Sequence, residues 1–244
     1  MTDTLTLVTG ASRGIGQALA VGLAEAGADV VVTARTLEGL DETAGRIKVL
    51  GRTCHVVEAD LIQSGGIASL FSALSERGLK PTVLINNAGT EEVAPSRDVT
   101  EDQFDKIVGT NLRAAFFVAQ AFARQTERGA IINLGSLASA VGIPTAVPYT
   151  ASKSGILGMT RALAAEWAPQ IRVNAIGPGY FRTAMTEAFY QDDAWQAAMA
   201  AKIPMARFGQ LDDLVGAAIF LASDASAYMT GQIVYVDGGI LASL

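Results

Sequence analysis

Residues 5–16 read Leu-Thr-Leu-Val-Thr-Gly-Ala-Ser-Arg-Gly-Ile-Gly, and this stretch decides how the rest of the chain is read. Leu5 to Thr9 is a short apolar run of strand length, and from Ile15 through Ala26 apolar residues recur at helical spacing. Between them stand Gly10, Gly14 and Gly16. A glycine-rich turn joining a buried strand to a helix lets backbone N–H groups approach a pyrophosphate at the helix N-terminus. By itself such a turn is equally compatible with a purely structural role, and its spacing differs from the common G-x-G-x-x-G fingerprint.

The same strand-then-helix unit repeats along the chain. Strand-like runs rich in Val and Ile lie near Asp29 to Ala34, Thr53 to Glu58, Thr82 to Asn86, Ala130 to Leu134, Ile171 to Ala175 and Ile233 to Val236. They alternate little, as strands buried on both faces do. Helix-length segments separate them, near Leu37 to Leu50, Ile67 to Glu76, Glu101 to Glu127, Tyr149 to Trp167 and Leu211 to Ala222, with Thr100 and Gln103 placed for a capping box on the fourth helix. This alternation predicts an α/β fold: one Rossmann-type, doubly wound parallel sheet of about seven strands, with helices on both faces. No linker or repeat interrupts it, so residues 1–244 read as a single domain. Residues 180–205 depart from the pattern. They are helical in character without a strand partner, and carry Met185, Phe189, Tyr190, Trp195 and Met199. They read as a staple onto the body, as a helical lid over a substrate, or as both.

Composition narrows the function. A net charge of −6 without a basic block argues against nucleic acid or anionic membrane as a partner. The apolar runs are too short to span a bilayer, and the amino terminus enters a strand without a secretory n-region and h-region, so a cytoplasmic protein is expected. One cysteine, Cys54, excludes an intrachain disulfide, and with the single histidine, His55, it rules out most thiolate or imidazole metal sites and weakens a Ser-His hydrolase.

Chemistry gathers at Tyr149-Thr-Ala-Ser-Lys153, thirteen residues after Ser136. Positions i and i+4 share a helix face, which puts Lys153 beside Tyr149. A phenol ionises near pH ~10, and a nearby cation favours the phenolate. Ser136 can donate to the oxygen that Tyr149 protonates, which completes a proton-transfer device.

The T-G-x-x-x-G-x-G spacing of glycines 10, 14 and 16, Asn86-Asn87-Ala88-Gly89, Asn111, Ser136, Tyr149 with Lys153, Pro178-Gly179, and Gly231-Gln232 leading to Val236-Asp237-Gly238-Gly239 together resemble the short-chain dehydrogenase/reductase family, in order and in spacing, over essentially the whole chain. The resemblance implies hydride transfer between a nicotinamide and a carbonyl or secondary alcohol. Tyr149 is then general acid/base, Lys153 lowers its pKa and holds the nicotinamide ribose, Ser136 fixes the substrate oxygen, and Asn111 anchors a water leading toward Lys153. It assigns Gly10, Ser12, Arg13, Gly14, Ile15 and Gly16 to the phosphates, Asp60 and Leu61 to the adenine, Asn87, Ala88 and Gly89 to the adenine ribose and sheet centre, and Pro178, Gly179, Phe181 and Thr183 to the carboxamide. Ala34 stands eighteen residues after Gly16, where NAD-selective sites carry an acid, and Arg35 follows it. A guanidinium there pairs with a 2′-phosphate, and Arg13 lies where NADP-binding relatives often carry a base. NADP(H) is therefore the expected cofactor, with NAD(H) possible.

Substrate signals conflict. Leu137 to Val147 is nearly apolar and suits a small apolar ketone, whereas Glu91 and Glu92 near the mouth either hydrogen-bond a polyol or are solvated. Gly177 to Thr183 with Met185, Pro204 and Arg207 resembles gluconate 5-dehydrogenase-type members, which act on keto-sugar acids. It is also close to 3-oxoacyl-carrier-protein reductases, whose acidic partner would want a basic patch such as Arg97, Arg113 and Arg128, here spread along the chain. Epimerising relatives are longer, enoyl reductases separate Tyr and Lys more widely, and a catalytically silent NADP-binding regulator tends to lose one of them. The resemblance also implies a homotetramer, with the apolar tail from Ile240 to Leu244 a candidate for burial against a neighbour.

Overall fold

The computed structural model describes residues 1–184, 186, 187 and 189–243, so Met185 of the expected lid and Leu244 of the tail lie outside the described residues, as does the side chain of Phe189. In chain order the elements are β1 (Leu5–Thr9), α1 (Gly14–Glu25), β2 (Asp29–Ala34), α2 (Asp41–Val49), β3 (Cys54–Glu58), α3 (Gly66–Glu76), β4 (Val83–Asn86), α4 (Glu101–Val108), α5 (Ala115–Gln125), β5 (Gly129–Leu134), α6 (Val147–Trp167), β6 (Ile171–Pro178), α7 (Asp193–Ala200), α8 (Val215–Ala222) and β7 (Ile233–Val236). The seven strands form one sheet in the order β3-β2-β1-β4-β5-β6-β7, with every neighbouring pair parallel.

Period-two alternation along the buried strands feeds two cores. Val8, Val30, Val32, Ile85 and Ile132 point to one face, against Leu19 and Leu23 of α1 and Ala218 and Leu221 of α8. Leu7, Val31, Leu84 and Ile131 point to the other, against Leu70 and Leu74 of α3, Val118 and Phe122 of α5, and Leu163 of α6. Each such side chain, fully removed from water, contributes ~1.5–3 kcal/mol. Cys54 is embedded in β3, and burial pushes its thiol up to about 11, as expected of an inert structural cysteine.

Crossovers from β1 and from β4 run in opposite directions along the sheet, so the topological switch point falls between these two neighbours. Two buried amides cross the sheet next to it. Asn86 Nδ2 donates to Asn133 Oδ1 (3.2 Å) and to Ala115 O (2.7 Å), and Asn133 Nδ2 donates to Thr160 Oγ1 (2.9 Å). Strand register, α5 and α6 are thereby fixed to one another by satisfied polar groups rather than by packing alone.

Several local expectations change. The fourth helix does not run unbroken to Glu127: Gly109–Ala114 is a single wide π-type turn between α4 and α5, and the helical periodicity continues through it, which hides it from the sequence. Thr100 caps α4 by accepting from Gln103 N (3.2 Å), but the Gln103 side chain donates to Glu92 O (3.3 Å), so the reciprocal half of the capping box is not made. Tight 3-10 turns at Glu38–Leu40 and Leu211–Leu214 precede α2 and α8, which shortens both helices. β6 extends to Pro178 because β7 pairs with it that far. The segment after it has one strand-like partner, a parallel bridge between Phe181 and Gly209. Ile240 of the tail is buried within its own chain beside Leu137 and Ile203.

Candidate active site

The carboxyl ends of the strands carry the expected residues to one edge of the sheet. The turn from Gly10 to Gly16 leaves β1, Asn87 to Gly89 leave β4, Ser136 follows β5, and Pro178 to Thr183 end β6. Two glycines are dictated by space. Gly10 has φ +64°, and a Cβ there would stand 2.9 Å from Ala88 Cα; a Cβ on Gly16 would strike Gly10 O and Asn87 Nδ2. Asn87 locks this junction. Its amide donates to Thr9 O (2.9 Å) and Gly10 O (3.1 Å), while Thr9 Oγ1 accepts from the N–H groups of Asn87 and Ala88 (3.0 Å each). The Asn87 side chain thus holds the glycine turn.

α1 begins at Gly14 with no side-chain cap, so its first-turn N–H groups face the turn without a protein partner among the described residues. Arg13 and Arg35 are exposed, and neither guanidinium is ion-paired or hydrogen-bonded among the described residues. Ser12 lies against the loop after β2, where a Cβ on Gly39 would meet Ser12 Cβ at 3.3 Å. Free N–H donors, two unpaired guanidinia and a nearby hydroxyl form a donor set for phosphate oxygens. Asp60 makes an Asx-type turn by accepting from Ile62 N (3.1 Å), and Leu61 is buried in the core. Thr183 reaches back over the glycine turn: its Cβ is 3.7 Å from where a Gly14 Cβ would stand. Phe181 is buried in the core at the root of that segment, as the strand pairing of Pro178 and the Gly179 N–H (3.0 Å to Val236 O) require.

At the centre, Ser136 caps the short turn Leu137–Ser139. Its Oγ accepts from Ala138 N (3.1 Å), and Ser139 Oγ accepts from Ser136 N (3.2 Å) and donates to Lys153 O (2.7 Å). With a backbone N–H on one lone pair, the Ser136 hydroxyl keeps its proton to give, and it acts to lower the Tyr149 phenol pKa. Lys153 is buried, with Nζ 5.7 Å from the Tyr149 ring centroid and donating to Leu134 O at 2.8 Å. Burial pushes the Tyr149 phenol up to about 12; Ser136 opposes this, and the charge of Glu91 adds to it. Burial brings the Lys153 ammonium down to about 8, with Glu91 pulling the other way. In the protein alone, therefore, desolvation outweighs the lowering of Tyr149 that the i, i+4 lysine was expected to give, and the phenol is neutral at physiological pH.

Asn111 sits in the π-type turn, a feature found most often at functional sites. Its Oδ1 accepts from Thr90 N (2.7 Å), and its Nδ2 donates to Thr90 O (2.9 Å) and to Ser152 Oγ (3.1 Å). Ser152 in turn donates to Tyr149 O (2.7 Å). Asn111 thus joins the loop after β4 to the helix that carries Tyr149 and Lys153. Thr90, Ser139 and Ser152 went unnoticed in the sequence, where an ordinary hydroxyl carries no signal beyond the i, i+3 spacing of a cap.

Glu91 and Glu92 part company. Glu92 forms an ion pair with Lys106 on the outside of α4, whereas Glu91 is half-buried and its charge is felt by Tyr149, Lys153 and Tyr180. Arg97, Arg113 and Arg128 stand on three separate segments, the loop before α4, the π-type turn and the loop before β5. Arg113 lies over the Phe117 ring (4.9 Å), and Arg128 precedes β5, at the opposite end of that strand from Ser136. Tyr190, Trp195 and Phe208 cluster, with Tyr190 to Phe208 centroids at 4.9 Å and Trp195 stacked on Phe208 at 6.0 Å, and Tyr180 meets Trp195 edge-on at 5.8 Å. The segment around α7 is therefore stapled to the body by its aromatic residues. Among the described residues no group of His, Cys, Asp and Glu could hold a metal, and no helix is long and apolar enough to cross a membrane.

A strand–glycine turn–helix at the switch point, joined to a Ser136–Tyr149–Lys153 cluster on the next two units, is the layout of a nicotinamide-dependent oxidoreductase, and comparison with known proteins agrees. A family model described as Enoyl-(Acyl carrier protein) reductase matches residues 10–241. The chain is 40% identical over 243 residues to a gluconate 5-dehydrogenase of Gluconobacter oxydans (strain 621H), covering 98% of this chain and 94% of that one. It is 37% identical over 239 residues to a 3-oxoacyl-acyl-carrier-protein reductase of Staphylococcus aureus (strain Mu50), covering 96% of each. Among solved structures, a gluconate 5-dehydrogenase from Burkholderia cenocepacia J2315 in complex with NADP and tartrate superposes with a TM-score of 0.96 at 36% identity, over 100% of this chain and 97% of that one. The chain belongs to the short-chain dehydrogenase/reductase family, and its activity is that of an NAD(P)-dependent oxidoreductase acting between alcohols and ketones.

Proposed function

We propose that this protein is an NADP(H)-preferring oxidoreductase that interconverts a polyhydroxylated ketone and its secondary alcohol, with Tyr149 as general acid/base. The observation that carries this reading is the Ser136–Tyr149–Lys153 cluster, in which a neutral phenol, within the influence of the Ser136 hydroxyl, stands on the same helix as a buried ammonium 5.7 Å from its ring. The nicotinamide cofactor, when bound, supplies or accepts the hydride. The first-turn N–H groups of α1, with Ser12, Gly10, Gly14, Ile15 and Gly16, would hold its pyrophosphate; Arg13 and Arg35 its 2′-phosphate; Asp60 and Leu61 its adenine; Asn87 to Gly89 its ribose and the sheet centre; and Pro178, Gly179, Phe181 and Thr183 its carboxamide.

In reduction, Ser136 donates to the substrate oxygen and Tyr149 gives its proton as that oxygen becomes an alkoxide; in oxidation both steps reverse. Lys153 keeps a positive charge beside the phenol and so stabilises the phenolate left after transfer. Asn111 holds Thr90 and Ser152, and through them the loop and helix on which the proton moves. Residues 180–205 close the site as a lid hinged on the aromatic staple. The four-residue spacing of Tyr149 and Lys153 supports carbonyl over enoyl reduction, and the scattered Arg97, Arg113 and Arg128 disfavour a 3-oxoacyl-carrier-protein substrate. Exposed Phe104, Phe117 and Val147 on α4, α5 and the start of α6 support assembly through those helices into a homotetramer. Residues 1–244 act as one catalytic domain in the cytoplasm.

Oxidation of NADPH and NADH is to be followed against keto-sugars, keto-sugar acids, acetoacetyl thioesters and aryl ketones. Turnover preferring NADPH, and reduced at least about a thousandfold in Tyr149→Phe while NADPH still binds, is the expected result. NADPH binding without turnover of any carbonyl would instead favour a silent regulator.

A further inference from the structure

We propose that Glu91 sets the charge of the substrate: its carboxylate accepts hydrogen bonds from the hydroxyls of a neutral polyol or ketose and excludes sugar acids from the reaction site. This rests on the reading of Tyr149 and Ser136 as the reacting centre.

The placement of Glu91 is fixed at both ends. Thr90 is clamped by two hydrogen bonds to Asn111 (2.7 and 2.9 Å), and Ala94 N donates to Thr145 O (2.9 Å) in the loop between Ser136 and α6. The segment from Thr90 to Ala94 therefore spans the gap between the end of β4 and the wall that leads to Tyr149. Its base lies against the lysine, since a Cβ on Gly89 would stand 3.8 Å from Lys153 Nζ. Within this strap the two acids divide: Glu92 is neutralised by Lys106 outside, and Glu91 has neither ion pair nor hydrogen bond among the described residues. Burial pushes its carboxyl up and Lys153 holds it down, and its charge reaches Tyr149, Lys153 and Tyr180, which lie on two further elements. A half-buried carboxylate without a partner among the described residues, on a strap anchored beside Lys153 and near enough for its charge to act on Tyr149 and Tyr180, supplies acceptors for sugar hydroxyls, and Tyr180 with its edge-on Trp195 offers an aromatic surface for their C–H face. Lys153 offsets this charge only from a distance, because its ammonium donates to Leu134 O and makes no ion pair with Glu91 among the described residues. A second carboxylate brought into the same partly desolvated space meets repulsion that is weakly screened.

The test compares gluconate with its neutral six-carbon counterpart sorbitol. Each is titrated by calorimetry into the protein saturated with NADP+, as wild type and as Glu91→Gln. The wild type is expected to bind sorbitol at least about tenfold more tightly than gluconate. Glu91→Gln is expected to reduce that ratio at least about fivefold, chiefly by tightening gluconate, with NADP+ affinity unchanged. A wild-type measurement needs no variant: added salt screens repulsion and tightens gluconate relative to sorbitol, whereas a site that attracts the acid loosens it. A ratio that Glu91→Gln leaves within twofold, including no binding of either compound, or a salt effect of the opposite sign, overturns the proposal. Failure of the catalytic reading looks different: binding ratios as stated, with no carbonyl turned over.

Discussion

Asn111→Leu isolates the tie between the loop after β4 and the catalytic helix. The side chain is almost fully buried and makes three hydrogen bonds, two to Thr90 and one to Ser152 Oγ. Leucine has nearly the same size and makes none of them. Leaving a buried polar partner unsatisfied costs ~1–3 kcal/mol each. Thr90 is partly exposed and regains some water, and the Ser152 hydroxyl still has Tyr149 O as acceptor, so a total of about 3–4 kcal/mol is expected. For a chain of this length each kcal/mol moves Tm by ~2–4 °C, which places the loss at about 6–16 °C. Asn111→Asp keeps the acceptor for Thr90 N and should fall about half as far. The assay is thermal unfolding followed by circular dichroism, alongside steady-state turnover, where a loosened Thr90 and Tyr149 should lower kcat at least about tenfold. A Tm within about 2 °C of wild type in Asn111→Leu would refute the assignment of this residue as the tie.

Arg35→Glu should reverse cofactor preference, because it replaces an unpaired guanidinium with a carboxylate that repels a 2′-phosphate and accepts from a 2′-OH; kcat/KM for NADPH relative to NADH should fall at least about a hundredfold, read in parallel assays. Stability should depend on alkaline pH in two opposite ways. Lys153 titrates near 10.5 unfolded and about 8 folded, so the unfolded chain binds more protons in that window and stability rises as pH climbs through it, by about 3 kcal/mol in total. Tyr149 titrates near 10 unfolded and about 12 folded, so its contribution is lost above pH ~10. Urea unfolding from pH 7 to 11 should show the rise, and Lys153→Met should remove it.

Where hydrophobic periodicity and glycine chemistry act together, the sequence was a close guide: β1, β2 and β7 begin and end at the residues expected, because each is an apolar run cut off by a turn. The gathering of Ser136, Tyr149 and Lys153 was legible for a similar reason, since helix spacing and strand ends put those side chains on one edge. The π-type turn was not, because Gly109 to Ala114 keeps the apolar spacing on both sides of it while one hydrogen-bonding step changes. Nor were the separate fates of Glu91 and Glu92: adjacent acids in a loop have no period, and only the two anchors at Thr90 and Ala94 decide which one turns inward. The intrachain shelter of Ile240 was hidden for a related reason, being built by Leu137 and Ile203, which are far away in the chain.

The wide turn at Gly109–Ala114 also constrains how this helix can change. One α-helical residue corresponds to about 100° of rotation, so a hydrogen-bonding step that spans an extra residue shifts the phase of everything after it. Upstream of the turn Ile107 faces the core; downstream Val118 and Phe122 do, and between them Asn111 is aimed at Thr90 and Ser152. Removing one residue here would yield a more regular rod, with Asn86 no longer matched to Ala115 O and α5 rotated off the sheet. Within these six positions the count of residues is itself part of the site.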